Sequence, residues 1–176
     1  FLQEGSLKFK EAEKKEATEL FEPKEQYFDF IKGLLVLDKF KDLKLKVAYD
    51  PLYATGLGYL DNLLPKISQC EVKTIHDFPD PLFGGGMPEP NEKCLAELKD
   101  FVVSNSFDIG LAYDGDADRF GVLDEKGVYY SPNKVISLLL RHLIKNRSFK
   151  GSVVRTVATT HLLDKLAKHY DAGIIE

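Results

Sequence analysis

An apolar run, Ile109-Gly110-Leu111-Ala112-Tyr113, stops against Asp114-Gly115-Asp116-Ala117-Asp118-Arg119. The run reads as a buried strand, and the acidic residues begin where it ends. Gly115 is expected to let the backbone bend sharply without a Cβ clash. The three carboxylates can then converge on one point beyond the strand's C-terminal end, where open α/β sheets commonly bind ligands. Three such charges repel one another, so at least one should hold its proton above the ordinary carboxylate range. A divalent cation removes that penalty. Oxygen-only donors indicate a hard ion, Mg²⁺, Ca²⁺ or Mn²⁺, rather than zinc. Arg119 then sits beside the metal with its planar fork free, and cation plus guanidinium suits a phosphate.

Other readings of the loop stay open at this point. A solvated acidic turn takes aspartates often, though rarely three at alternate positions followed by arginine. Asp114, Asp116, Asp118 and Glu125 also match positions one, three, five and twelve of an EF-hand, but Arg119 stands where that loop carries glycine and the lead-in is a strand. An aspartyl-nucleophile phosphatase places Asp-x-Asp after a buried strand as well; Asp118 stands where that signature has threonine or valine.

The 176 residues suffice for one good-sized domain with a piece of another. Net charge is −4 with both signs mixed along the chain, which argues against a nucleic-acid-binding surface. The two cysteines, Cys70 and Cys94, are expected to be reduced packing residues of a cytoplasmic protein. No apolar run approaches a membrane span, and no signal peptide is visible. A start at Phe1 and an end on Gly173-Ile174-Ile175-Glu176, which reads as a strand just beginning, give the chain the look of a fragment.

Residues 1–24, rich in lysine and glutamate, read as an interdomain linker. A helix is expected over 25–40, with Phe28, Ile31, Leu34, Leu35 and Leu37 on one face. Residues 45–49 and 70–75 read as strands, separated by a helix carrying Leu57, Leu60, Leu63 and Leu64. The loop 77–90 combines four prolines with Gly84-Gly85-Gly86, a long ordered connection of the kind that often carries function. Asn91 is a candidate N-cap for a helix over 92–103 that buries Leu95, Leu98 and Val102. After the acidic loop come a hairpin over 120–130, a helix opened by Ser131-Pro132 and turning Val135, Ile136, Leu139, Leu140 and Leu143 inward, a strand over 153–157, and a helix ending at His169. This alternation predicts an α/β fold: a three-layer α/β/α domain with a mostly parallel mixed sheet over 25–148, and a truncated second α/β unit over 149–176.

Asp-Gly-Asp-Ala-Asp-Arg at 114–119 resembles the metal loop of the α-D-phosphohexomutases, the phosphoglucomutase/phosphomannomutase superfamily. Further matches fall in the family's order: Asp50-Pro51-Leu52 with Gly56, Pro79-Asp80-Pro81 with Phe83 and Gly85, Pro88-Glu89-Pro90, Ser131-Pro132-Asn133, and the run from Arg155 through Thr159-Thr160-His161 to Leu163. The resemblance covers roughly residues 25–176. Family members have four domains around one cleft, and this chain looks like the second domain with the opening of the third. Tyr53 stands where many members carry histidine. The resemblance implies Mg²⁺ held by Asp114, Asp116 and Asp118, Arg119 on the transferring phosphate, a phosphoserine supplied by another domain, and a phosphosugar substrate. The partners it implies are that substrate and the remaining domains of a parent chain, with no nucleic acid and no membrane. Thr159 and Thr160, ahead of a helix, are candidate phosphate contacts or plain caps. His161 reads as a packing or capping residue, and His76, His142 and His169 as ordinary.

Overall fold

The computed structural model describes residues 19–176, so the linker expected over 1–24 lies mostly outside the described residues. The chain divides into two compact units with the boundary between Leu35 and Val36. In the first, α1 (Lys24–Leu34) has Glu25 in its first turn and Lys32 in its last, the charge order that complements a helix dipole. It buries Phe28 and leaves Phe30 and Leu34 exposed. The helix stops short of the expected residue 40 because Leu35 turns to an extended conformation; a 3₁₀ turn, Leu37–Lys39, follows.

The second unit is built on β1 (Lys46–Asp50), β2 (Glu71–Thr74), β3 (Ile109–Tyr113), β4 (Phe120–Asp124) and β5 (Tyr129–Tyr130), in the order β2-β1-β3-β4-β5. β2, β1 and β3 run parallel. Parallel neighbours need crossovers, supplied by α2 (Leu60–Ile67) and α3 (Ala96–Ser104). β3, β4 and β5 pair antiparallel, so the mixed sheet is half crossover and half meander.

The two faces of this sheet are chemically unlike. On one, Ala48 pairs with Gly110 and Ala112 with Gly121, a floor of small residues across three strands. The α3 segment lies against it with Leu95, Leu98 and Val102 fully buried. A Cβ at Gly110 would lie 2.9 Å from Val102, and one at Gly121 would lie 2.6 Å from Leu95 and 2.7 Å from the Pro90 carbonyl oxygen. On the other face Tyr49 is buried, donates its hydroxyl to the Gly56 carbonyl at 2.8 Å and meets Tyr113 edge-on. The chain from Gly56 runs on into α2, whose Leu63 is buried. Helical layers on both faces make the three-layer α/β/α architecture.

Asn91 makes cap-like bonds where expected, its Oδ1 accepting from the Lys93 and Cys94 amides, but α3 begins about a turn later than expected, at Ala96, with Leu95 in its N-cap position. α4 (Pro132–Arg147) has proline in its first turn, but the Ser131 side chain makes no capping bond; its carbonyl accepts from Lys134 and Val135 instead. The inward stripe of α4 also differs from expectation. Ile136 and Leu139 are 41% and 50% exposed while Ser137 is buried; the elements α4 meets most in this unit are β5 and α5 (Leu162–His169). β6 (Val153–Val154) and β7 (Ile174–Ile175) pair in parallel as a separate two-stranded sheet joined through α5. β6 ends before the expected residue 157 because Thr156 begins a turn closed by the Thr159 amide. Cys70 and Cys94 are free thiols.

Candidate metal centre

Residues 114–119 form the connection of the β3–β4 hairpin, closed where Tyr113 pairs with Phe120. The Asp114 amide donates to the Arg119 carbonyl at 3.2 Å, and the Ala117 amide to the Asp114 carbonyl at 3.1 Å. The left-handed residue of the loop is Ala117, φ 60°, and not Gly115. Gly115 is needed for close approach instead: a Cβ there would stand 3.3 Å from the Pro88 ring, and its amide donates to the Pro88 carbonyl. The Thr55 hydroxyl holds the Gly115 carbonyl from the other side at 3.1 Å.

This backbone path gathers the three aspartates. One carboxylate oxygen from each of Asp114, Asp116 and Asp118 lies within 4.8 Å of the others. That spread is about twice the metal–oxygen distance of a hard cation, ~2.1 Å for Mg²⁺ and ~2.4 Å for Ca²⁺. The all-oxygen donor set and its spacing therefore fit such an ion. Asp114 is buried, and Asp116 and Asp118 are exposed.

Arg119 distinguishes the members of the cluster. Asp114 Oδ1 accepts from the Arg119 amide at 3.0 Å and Oδ2 from its Nε at 2.7 Å. Burial opposes charge on Asp114, but these bonds outweigh it and hold the carboxyl below its ordinary range. Asp118 is pushed up instead, first by its hydrogen bond with Asp114 and then by the charge of Asp116. The repulsion anticipated from three neighbouring carboxylates thus falls on Asp118.

The guanidinium fork is not free. Besides Asp114 it reaches Glu89 Oε1 through Nη1 at 3.3 Å, and Asp118 Oδ1 lies 3.6 Å from Nε. Asp114 first and then Glu89 hold Arg119 above its usual range. A hollow of about 290 Å³ opens beside it, lined by Glu89, Asp118 and Arg119 together with Pro90, Phe120 and Tyr129. Sequence reasoning misses Glu89 as a site residue; its only local signal is the flanking prolines of Pro88-Glu89-Pro90.

Thr159 and Thr160 behave as turn and cap residues. The Thr160 hydroxyl accepts from the Leu162 amide at 3.2 Å, and the Thr159 hydroxyl pairs with that of Thr156. Among the described residues no hydrogen bond or ion pair joins either to the aspartate loop. His161 occupies the N-cap position of α5, and its Nδ1 lies 2.7 Å from Asp164 Oδ2. Asp164 in turn holds the buried Arg155 through Nε and Nη2 at 2.8 and 3.0 Å.

His76 is not the ordinary residue its sequence context implies. Its Nδ1 lies 3.0 Å from Asp50 Oδ1 and its Nε2 2.7 Å from Glu97 Oε2, while Tyr53 stacks on the ring at 4.2 Å. Asp50 is 1% exposed, and its Oδ2 has no hydrogen-bond partner among the described residues. Burial pushes its carboxyl up, against the opposing pull of the Leu52 amide and His76. The link joins residues 26 apart at the ends of two parallel strands, which no local spacing reveals.

Fold and loop together define an α/β/α domain that presents an arginine-flanked acidic cluster at the end of its central strand. The family model for phosphoglucomutase/phosphomannomutase, alpha/beta/alpha domain II, matches residues 25–127, and the chain belongs to that family. A Methanosarcina acetivorans protein named a phosphoglucosamine mutase is 36% identical over 138 residues, 78% of this chain and 30% of the relative. A Thermococcus kodakarensis phosphoglucomutase/phosphomannomutase is 32% identical over 149 residues, 85% of this chain and 32% of the relative. A crystal structure described as a phosphomannomutase of Thermus thermophilus superposes with a TM-score of 0.78 at 30% identity, covering 88% of this chain and 36% of that one. The chain thus spans about a third of the length of the relatives it matches. Among the described residues no helix is long and apolar enough to cross a membrane.

Proposed function

We propose that this chain is the cation- and phosphate-handling part of a Mg²⁺-dependent hexose-phosphate mutase, which moves a phosphoryl group between the 1- and 6-positions of a sugar. The observation that carries this reading is the gathering of Asp114, Asp116 and Asp118 oxygens within 4.8 Å, with Arg119 hydrogen-bonded to the buried member. These three aspartates would hold the cation. When bound, it would neutralise charge on phosphoryl oxygens. Arg119 would donate to the transferring phosphate, and the tight hairpin keeps donor and carboxylates in fixed relation, so positioning is the chain's main contribution. The phosphoserine and the sugar-recognition loop would come from other domains of a longer, cytoplasmic protein, with 25–148 as the family's second domain and 149–176 as the start of its third. Thr159 and Thr160 remain secondary candidates for phosphate contact, their hydroxyls being committed to the turn before α5.

An aspartyl phosphatase is less well supported. Asp114, which would have to be its nucleophile, has both carboxylate oxygens engaged by Arg119. A metal- or phosphate-binding module without chemistry of its own is the other reading, and it rests on the same aspartate cluster and arginine. A coupled assay for glucose, mannose and glucosamine phosphates tests the mutase reading. The 176-residue chain alone should show no turnover, and the same chain joined to the domains bearing the phosphoserine and sugar-recognition loops should gain it. Turnover by the chain alone, or none from the joined protein, would contradict it.

A further inference from the structure

Two carboxylates from separate parts of the chain grip different nitrogens of Arg119: Asp114 Oδ2 takes Nε at 2.7 Å and Glu89 Oε1 takes Nη1 at 3.3 Å. The Arg119 side chain is 59% exposed, so packing alone does not fix its long stem. Glu89 is itself well placed to do so. Its Oε2 accepts from Asn91 Nδ2 at 3.2 Å, and Asn91 is tied through Oδ1 to the amides of Lys93 and Cys94. The short segment around Glu89 is pinned on both sides. The Pro88 carbonyl accepts from the Gly115 amide, and the Pro90 carbonyl accepts from the Tyr129 hydroxyl at 3.1 Å. The segment also packs closely over Gly121, where a Cβ would stand 2.7 Å from the Pro90 carbonyl oxygen. An exposed ion pair adds little stability, so the consequence of this contact is direction rather than strength. Held at Nε and Nη1, a planar guanidinium has one orientation, and Nη2 has no protein partner among the described residues.

We propose that Glu89 is a positioning residue: with Asp114 it fixes the plane of the Arg119 guanidinium and leaves Nη2 as the donor for an incoming phosphoryl oxygen. This rests on the reading that Arg119 meets a phosphate. It also gives the proline- and glycine-rich loop before α3 a task, since that loop carries Glu89 to the hairpin.

Two readouts on the 176-residue chain test it. In arginine-labelled protein, the two Nη resonances of Arg119 should be distinct in the wild type, merged by faster rotation in Glu89→Ala, and distinct again in Glu89→Gln, which keeps an acceptor oxygen. Inorganic phosphate titrated at saturating Mg²⁺ should bind about fivefold more weakly to Glu89→Ala, the size of one net hydrogen bond. Glu89→Gln should restore the affinity, while Arg119→Ala should lose it. Nη signals unchanged in Glu89→Ala would overturn the proposal. So would phosphate affinity unchanged in Glu89→Ala while Arg119→Ala loses it, and that result would leave the reading of Arg119 intact. Equal phosphate binding by wild type and Arg119→Ala, or none by either, overturns both.

Discussion

Asp114 and Asp118 lie on one short loop yet respond to pH in opposite senses. The folded-state pKa of Asp114 is depressed, so its stabilisation is present above the ordinary value of ~3.9 and is lost as pH falls through the lower folded value. That of Asp118 is raised, so its stabilisation is full below ~3.9 and is lost as pH rises through the higher folded value. At neutral pH the metal-free chain therefore carries Asp118 as a burden that a cation would relieve. Asp118→Asn should raise the melting temperature of the metal-free chain at about pH 7 and remove most of the stabilisation by Mg²⁺. In the wild type that Mg²⁺ effect should shrink as pH falls through the Asp118 transition. Thermal unfolding with chelator and with Mg²⁺ measures all three, and a lower melting temperature for Asp118→Asn in chelator would contradict the assignment. Asp114→Asn should behave differently. It sets an amide against two Arg119 donors in a buried place, with an expected loss of about 1–3 kcal/mol in urea denaturation.

At the scale of elements, most of the fold was legible because apolar periodicity and turn residues agree along this chain. β3, the hairpin after it, and the buried stripe Leu95, Leu98, Val102 on the α3 side form as the pattern predicts. What local pattern could not show depended on partners distant in the chain. The exposure of Ile136 and Leu139 depends on which elements meet α4, and the helical spacing of its leucines is silent on that. The Asp50–His76–Glu97 link and the Glu89–Arg119 pair each join residues more than twenty apart. The closeness of Arg119 to the aspartates was legible from its place directly after them, but its engaged fork was not. The small-residue floor beneath α3 yields a stability prediction. Gly121→Ala drives a methyl into Leu95 and the Pro90 carbonyl, and should cost about 1–3 kcal/mol by urea denaturation, as overpacking does. Gly33→Ala, on α1 with nothing near its added methyl, should cost nothing or stabilise slightly.

At the scale of the whole molecule, the sheet explains why the acidic cluster sits where it does. β1 and β3 run parallel and end together, at Asp50 and at the residue before Asp114, and β3 then turns directly into β4. The loop is thus anchored by pairing on both sides of its central strand, while 88–91 braces it through Pro88 and Glu89. A rigid frame of this kind suits a site whose proposed work is to hold charges in fixed relation. The most direct measurement is a Mn²⁺ titration of the 176-residue chain followed by electron paramagnetic resonance, with Mg²⁺ as competitor. The expected result is one saturable site that Mg²⁺ displaces and that vanishes when Asp114, Asp116 and Asp118 are together changed to asparagine in a chain that still folds. Saturable binding that survives those three changes, or no saturable binding to the wild type, would contradict it.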